Sequence, residues 1–439
     1  MANRLKVQNG TATITDGNLT VDETLDSNIS DLSRAFMIMQ TSGDNGANLG
    51  SEHQATGYLY DDSGTTKIKF ERDASTDDCQ ISYYVIETLN EDFTVQRGSC
   101  SITATNTTDT DDIASSITQS RAMIISNCRS DNSPEEGFAI GEFSDNDTVL
   151  FTRNVSTNEC TIRYEVVEWS SESGVSVYTG EQDCSGNIAS GTTTDITSHG
   201  ITKEQTWLFC TFRHTSDGLE QTAICVDLTD DETITWQRYD QTTSYASTGR
   251  YWLIEFPSDV VVEHSGAINI GNSTDYTEAY TCSEIAYDTA WVDHYNSCNG
   301  TGTAFPRTKW IDYFSSTTEV TAQRWYNGQL AEIAFQIIDS SGWTFSDSTE
   351  ADSERGIWLS GGESGSSERD IWLSGAGAGS SERGLYLSGV DTTSSQRDVW
   401  VSGGLGSSSV RSAFLHGAMS GSPTTYFWDG NNWIEIPFA

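Results

Sequence analysis

Through its first three-quarters the chain alternates short apolar runs with clusters of Ser, Thr, Asn, Asp and Gly, and it almost never holds the spacing of an amphipathic helix. The runs recur in one order. An opening strand ends in glycine at Val7–Gly10, Val95–Gly98, Val177–Gly180 and Val262–Gly266, and a wholly apolar strand follows at Ala35–Ile38, Ala122–Ile125, Trp207–Cys210 and Ala290–Val292. A third run lies at Tyr58–Tyr60, Phe138–Ile140, Ala223–Val226 and Trp310–Phe314. The fourth closes on an arginine in every copy: Arg72, Arg153, Arg238 and Arg324. The fifth is the most apolar, at Tyr83–Glu87, Tyr164–Glu168, Tyr251–Glu255 and Ile333–Ile337.

Short strands joined by turn residues predict an all-β chain of four tandem antiparallel β-sandwich modules, at residues 1–92, 93–174, 175–259 and 260–346. Each is expected to close its own small core. The recurring arginine is expected to pair with a carboxylate such as the glutamate of the fifth run.

A shorter period takes over at the C-terminus. Arg355, Arg369, Arg383, Arg397 and Arg411 stand 14 residues apart, each followed by an apolar triplet around Trp358, Trp372, Tyr386, Trp400 and Phe414. Each unit reads as a strand apolar on both faces, which one unit alone cannot cover. The pattern predicts a β-repeat shaft over 347–421 in which several chains, most naturally three, wind together around those aromatics. A monomeric meander on the preceding module is the alternative. Residues 422–439 read as a hairpin turning at Asp429–Asn432, with Tyr426, Trp428 and Trp433 placed either to stack on sugar rings or to plug the shaft.

Composition narrows the partners. The 64 acidic against 23 basic residues leave a formal charge of −41, which repels phosphate backbones and argues against nucleic acid. No 18-residue apolar run predicts membrane insertion, and the start of the chain lacks the apolar stretch of a secretory signal. The nine cysteines nevertheless suit an oxidising exterior. Their recurrence suggests disulfides Cys79–Cys100 and Cys160–Cys184, with Cys210–Cys225 and Cys282–Cys298 as local pairs and Cys128 left over; free buried thiols are the alternative. Acidic hairpins at Asp61–Asp62, Asp145–Asp147 and Asp227 with Asp230–Asp231 admit calcium, although ordinary turn chemistry explains them better. The six scattered histidines form no nucleophile or metal motif, and no pair among the 64 carboxylates stands out, so neither catalytic residues nor a cofactor are expected.

The segments Ser120–Ile125, Arg153, Tyr164–Glu168 and Val95–Gly98 resemble tandem β-modules of tailed-phage surface proteins. Ser381–Gly389 is similar to short repeats of phage fibres, and the Trp-Asp-Gly-x-x-Trp hairpin to strands that close them. The resemblance implies a structural virion protein, made in the host cytoplasm and exposed outside the cell. It would form homotrimers and work beside other virion proteins as a fibre or appendage attaching to a host surface glycan. A capsid decoration protein and a tailspike-type glycan hydrolase are the alternatives.

Overall fold

The computed structural model describes residues 3–43, 53–130, 134–185, 188, 191–214, 223–238, 247–270, 277–298, 310–324 and 331–344, together with six short strands beyond 370. It is all-β, and it divides into two compact bodies, residues 1–345 and 346–439.

The first body repeats one six-stranded module four times. Module 1 comprises β1 (Leu5–Ile14), β2 (Thr20–Thr24), β3 (Ala35–Gly43), β4 (Thr56–Asp62), β5 (Thr65–Glu71) and β6 (Cys79–Thr88). Module 2 comprises β7 (Phe93–Ile102), β8 (Thr108–Asp112), β9 (Ala122–Ser130), β10 (Ile140–Phe143), β11 (Thr148–Thr152) and β12 (Cys160–Trp169). Module 3 comprises β13 (Ser176–Asp183), β14 (Thr192–Asp195), β15 (Thr206–His214), β16 (Cys225–Asp230), β17 (Thr233–Gln237) and β18 (Ser247–Glu255). Module 4 comprises β19 (Val261–Ile270), β20 (Thr277–Thr281), β21 (Ala290–Cys298), β22 (Ile311–Ser316), β23 (Glu319–Gln323) and β24 (Ala331–Asp339).

In every module the sixth strand runs between the first and the third, and the fifth between the second and the fourth, giving two antiparallel three-stranded sheets. The second strand was not anticipated. Thr20–Thr24 and Thr108–Asp112 alternate half-buried and exposed positions without one apolar run, so hydrophobic pattern alone passes over them.

The recurring glycine and arginine acquire physical reasons here. Gly10, Gly98 and Gly180 stand opposite Tyr83, Tyr164 and Tyr251, whose rings lie across the bare backbone. A Cβ at Gly98 would meet the Tyr164 ring at 2.2 Å. Arg72, Arg153, Arg238 and Arg324 are all buried. Contrary to the expected glutamate partner, Arg153 donates to the carbonyls of Thr103 (3.0 Å) and Asn106 (3.2 Å), and Arg72 to those of Thr15 (2.9 Å) and Asn18 (3.0 Å). The guanidinium thus pins the loop after the first strand, a task its fan of donors suits. Glu168 instead accepts the amide of Thr118, and Glu255 that of Thr202.

The expectation of self-contained cores fails. One apolar cluster runs through all four modules, while modules 1 and 3 keep smaller clusters between their own sheets. The fourth strand of each module packs on the inner sheet of the next: β4 on β9 and β12, β10 on β15, β16 on β21 and β24, and β22 back on β3 and β6. The circuit is therefore closed. A bridge between Asn3 and Thr344 and the hydrogen bond from the Arg4 amide to the Trp343 carbonyl (3.0 Å) join its ends.

In the second body, β25 (Ile371–Leu373) pairs in parallel with β27 (Val399–Val401), and β26 (Gly384–Leu387) with β28 (Ser412–Leu415). Among the described residues the second 14-residue unit thus pairs with the fourth and the third with the fifth. β29 (Thr425–Trp428) and β30 (Trp433–Ile436) form the expected terminal hairpin. Trp358 lies outside the described residues, as do the side chains of Trp372, Tyr386, Trp400, Phe414, Tyr426, Trp428 and Trp433.

Candidate functional site: an axial cavity among four equivalent strands

The third strands β3, β9, β15 and β21 bring equivalent residues to the centre of the first body in layers. The first layer is Phe36, Met123, Trp207 and Trp291, all buried. Phe36 and Trp207, from opposite modules, stack at 6.5 Å, and Trp207 meets Trp291 edge-on at 5.9 Å. Phe93, Trp169, Phe256 and Trp343 close this end into an aromatic plug. Alternation along a strand turns every second residue to the same side. The next layers are therefore Ile38, Ile125, Phe209 and Asp293, then Gln40, Asn127, Thr211 and Tyr295. Together with Phe138, Phe212 and Trp310 they line a cavity of about 230 Å³.

Asp293 ties this floor together. Its carboxylate accepts from the Gln40 amide (3.0 Å), its neighbour's backbone N–H at His294 (2.9 Å), the Trp207 indole (3.2 Å) and the Tyr295 hydroxyl (2.9 Å). The Tyr295 hydroxyl in turn accepts from the Cys210 amide at 2.6 Å. Residues of modules 1, 3 and 4 thus meet on one side chain. Burial pushes the Asp293 carboxyl up to about 6, against the pull of these donors. Beside it, His294 Nδ1 lies 2.8 Å from Asp312, both groups buried.

Other polar groups of the wall are unsatisfied. The Trp310 indole N–H, on a residue 1% exposed, and the hydroxyls of Ser126 and Thr211 have no hydrogen-bond partner in the protein. These atoms are sealed from the cavity space, so a ligand there would meet instead the rings of Phe138 and Phe212 and the side chains of Gln40 and Asn127, on a floor whose carboxylate is already engaged.

Around the cavity two of the four seams share a polar device. In module 2, Arg97 donates to the carbonyls of Leu32 (2.6 Å) and Ala35, while Glu165 accepts the Met37 amide (2.7 Å) and pairs with Arg97 (2.7 Å). In module 4, His264 contacts the carbonyls of Lys203 and Thr206 (both 3.1 Å), and Gln336 accepts the Leu208 amide (2.8 Å). Arg97 stands opposite Glu165, and His264 opposite Gln336, at the same register. Burial holds His264 down to about 4, so an uncharged pair replaces the ion pair. The matching positions in modules 1 and 3 are Asn9 with Tyr84 and Thr179 with Trp252.

The sequence-derived sites fare differently. Cys100, Cys160, Cys184, Cys210, Cys225 and Cys282 carry free thiols, so none of the four expected disulfides is present; the Cys298 side chain lies outside the described residues. The first strand of each module pairs with the sixth of the same module, which sets Cys100 and Cys128 on either side of Ile162, diagonal to Cys160, and leaves Cys79 in module 1. In the acidic hairpins the carboxylates serve their own turns: Asp61 accepts from Gly64, Asp145 from Asp147, and Asp230 from Glu232, while Asp62 pairs with Lys67. Among the described residues no His, Cys, Asp and Glu group could hold a metal ion, and no helix is long and apolar enough to cross a membrane. The axial cavity itself was missed. Aligning Ile38, Ile125, Phe209 and Asp293 would have exposed the one carboxylate in an otherwise apolar position.

Comparison with known protein families, with curated proteins and with solved structures returns no match.

Proposed function

We propose that the chain is a structural protein of a tailed-virus particle, a fibre or appendage that attaches the particle to its host, and that the axial cavity seats a sugar of a host-surface glycan. The binding half rests on one observation: the rings of Phe138 and Phe212 and the side-chain amides of Gln40 and Asn127 belong to the wall of one cavity of about 230 Å³. That volume lies just below the usual small-molecule range of about 300–1,000 Å³, which suits a single sugar unit. The virion half is supported by two tiers of repetition, a charge of −41 and the likeness of the motifs to phage fibre repeats.

The test is a screen of the purified chain against an array of surface oligosaccharides, with labelling of intact particles. The proposal expects retention of a neutral glycan without turnover and label at a fibre or appendage. Hydrolysis of the bound glycan would replace it with the tailspike-type hydrolase, and label spread over the capsid without glycan retention would replace it with a decoration protein.

A further inference from the structure

A second cavity, of about 210 Å³, opens in the seam between modules 1 and 2, and its wall includes Tyr58, Arg97, Ser99, Asn127, Arg163 and Glu165. Register explains the grouping. Arg163 of β12 stands directly opposite Ser99 of β7 on one side and Asn127 of β9 on the other, and Glu165, two residues on, stands opposite Arg97. Cross-strand partners and residues two apart share a face, so these side chains lie on the one face of the sheet that β4 covers. Asn127, Arg163 and Ser99 form a row across that face. At its inner end Asn127 also belongs to the wall of the axial cavity, and at its outer end Ser99 is exposed.

The two arginines of this wall differ in what they have left to offer. Arg97 is spent on Glu165 and on the carbonyls of Leu32 and Ala35, and the second oxygen of Glu165 is spent on the Met37 amide. Arg163 touches Glu71 only at 3.4 Å, and Arg129 holds that carboxylate more closely, at 2.9 Å. The Tyr58 ring, its centre 4.3 Å from the Arg163 guanidinium carbon, keeps the group in place. At the same register module 3 has Arg250, which Glu142 and Glu181 occupy, while modules 1 and 4 have Ser82 and Ala334. Among the described residues, module 2 alone offers an arginine there with donors to spare.

We propose that this seam is a second sugar subsite: a neutral glycan with its end unit in the axial cavity runs outward along the Asn127, Arg163, Ser99 row, and its next unit sits on Arg163. The inference rests on the axial cavity being a sugar site. A chain held there by its end unit needs a way out to solvent, and the row runs from the axial wall to an exposed residue. The parallel N–H groups of a guanidinium match two neighbouring hydroxyl oxygens of a sugar ring, and hydrogen bonds from an ionised donor are stronger than neutral ones. The wall's one carboxylate, Glu165, is already paired with Arg97, so the unit bound there needs no charge of its own.

The test is calorimetric titration of the full chain with the methyl glycosides of glucose, galactose and mannose and with their linkage-isomeric disaccharides. For the hexose that binds, the disaccharide of fitting linkage is expected to bind about 10-fold more tightly than the monosaccharide, the worth of about one hydrogen bond to a charged group. Arg163→Ala should abolish that gain, and so should Arg163→Lys, which keeps the charge and loses the fork. Both should leave the monosaccharide affinity unchanged, which also shows that the variants are folded. Equal affinity for the two sugars in the wild type, or a gain that survives both substitutions, would overturn the second subsite and leave the axial site standing. A chain that retains no sugar, on this panel or on the array, would overturn the axial reading and the subsite with it.

Discussion

Glycine and tyrosine at facing positions are the smallest unit of this fold. Tyr164 is held by its hydroxyl to Asp111 at 2.8 Å, so it cannot swing aside for a larger neighbour at Gly98. Gly98→Ala is expected to lower stability by about 1–3 kcal/mol, the usual cost of overpacking, as read by chemical denaturation. His264 offers a second check. Its folded pKa of about 4 lies below the ordinary value of 6.5, so the unfolded chain binds the proton more readily between those limits. The stability it contributes is complete above 6.5 and is lost as pH falls towards 4. The advantage of the wild type over His264→Gln should therefore shrink on acidification, by about 2 kcal/mol once partial exposure is allowed for, in denaturation curves at matched pH. Spacing made the arginines and glycines legible in the sequence. Their partners were not, because the carbonyls of Thr103 and Asn106 meet Arg153 only after the intervening loop has closed.

Strand order was equally legible, and for a physical reason: β6, β12, β18 and β24 are covered on both faces, so they stand out as unbroken apolar runs. The edge strands β2, β8, β14 and β20 have one solvated face and Thr, Asp and Glu in place of a core stripe, which hid them. Between modules, the matched devices Arg97–Glu165 and His264–Gln336 indicate that the same seam accepts a charged or a neutral pair. Glu165→Gln alone leaves the Arg97 guanidinium without its carboxylate in a largely buried seam and should cost about 1–3 kcal/mol. The double change Arg97→His with Glu165→Gln recreates the module 3–4 seam. It should cost less than the sum of the two single changes, a coupling that a double-mutant cycle measures directly.

At the scale of the whole first body, closure could not be read from the modules one at a time. Phe36 and Trp207 lie in opposite modules and nothing in either run announces that they stack. The consequence is cooperative. A chain ending at residue 259 loses Trp343 from the aromatic plug and Trp291 from the layer beside it, and leaves the inner sheet of module 1 uncovered by β22, so it should not unfold as three independent modules. Calorimetry should find aggregation or loss of the folded transition, whereas a chain ending at 345 should keep a single transition. Three intact modules in the shorter chain would restore the self-contained sandwiches expected from the pattern.

Function turns on whether the cavity, rather than the terminal hairpin, receives the ligand. Titration of an array-identified glycan into the wild type, into Asn127→Ala and into a chain lacking residues 346–439 separates the two. Binding through the axial cavity predicts affinity reduced about 10-fold by Asn127→Ala, about 1.4 kcal/mol, and retained by the shortened chain. Undiminished binding in Asn127→Ala together with loss in the shortened chain would place recognition at Tyr426, Trp428 and Trp433 and contradict the assignment.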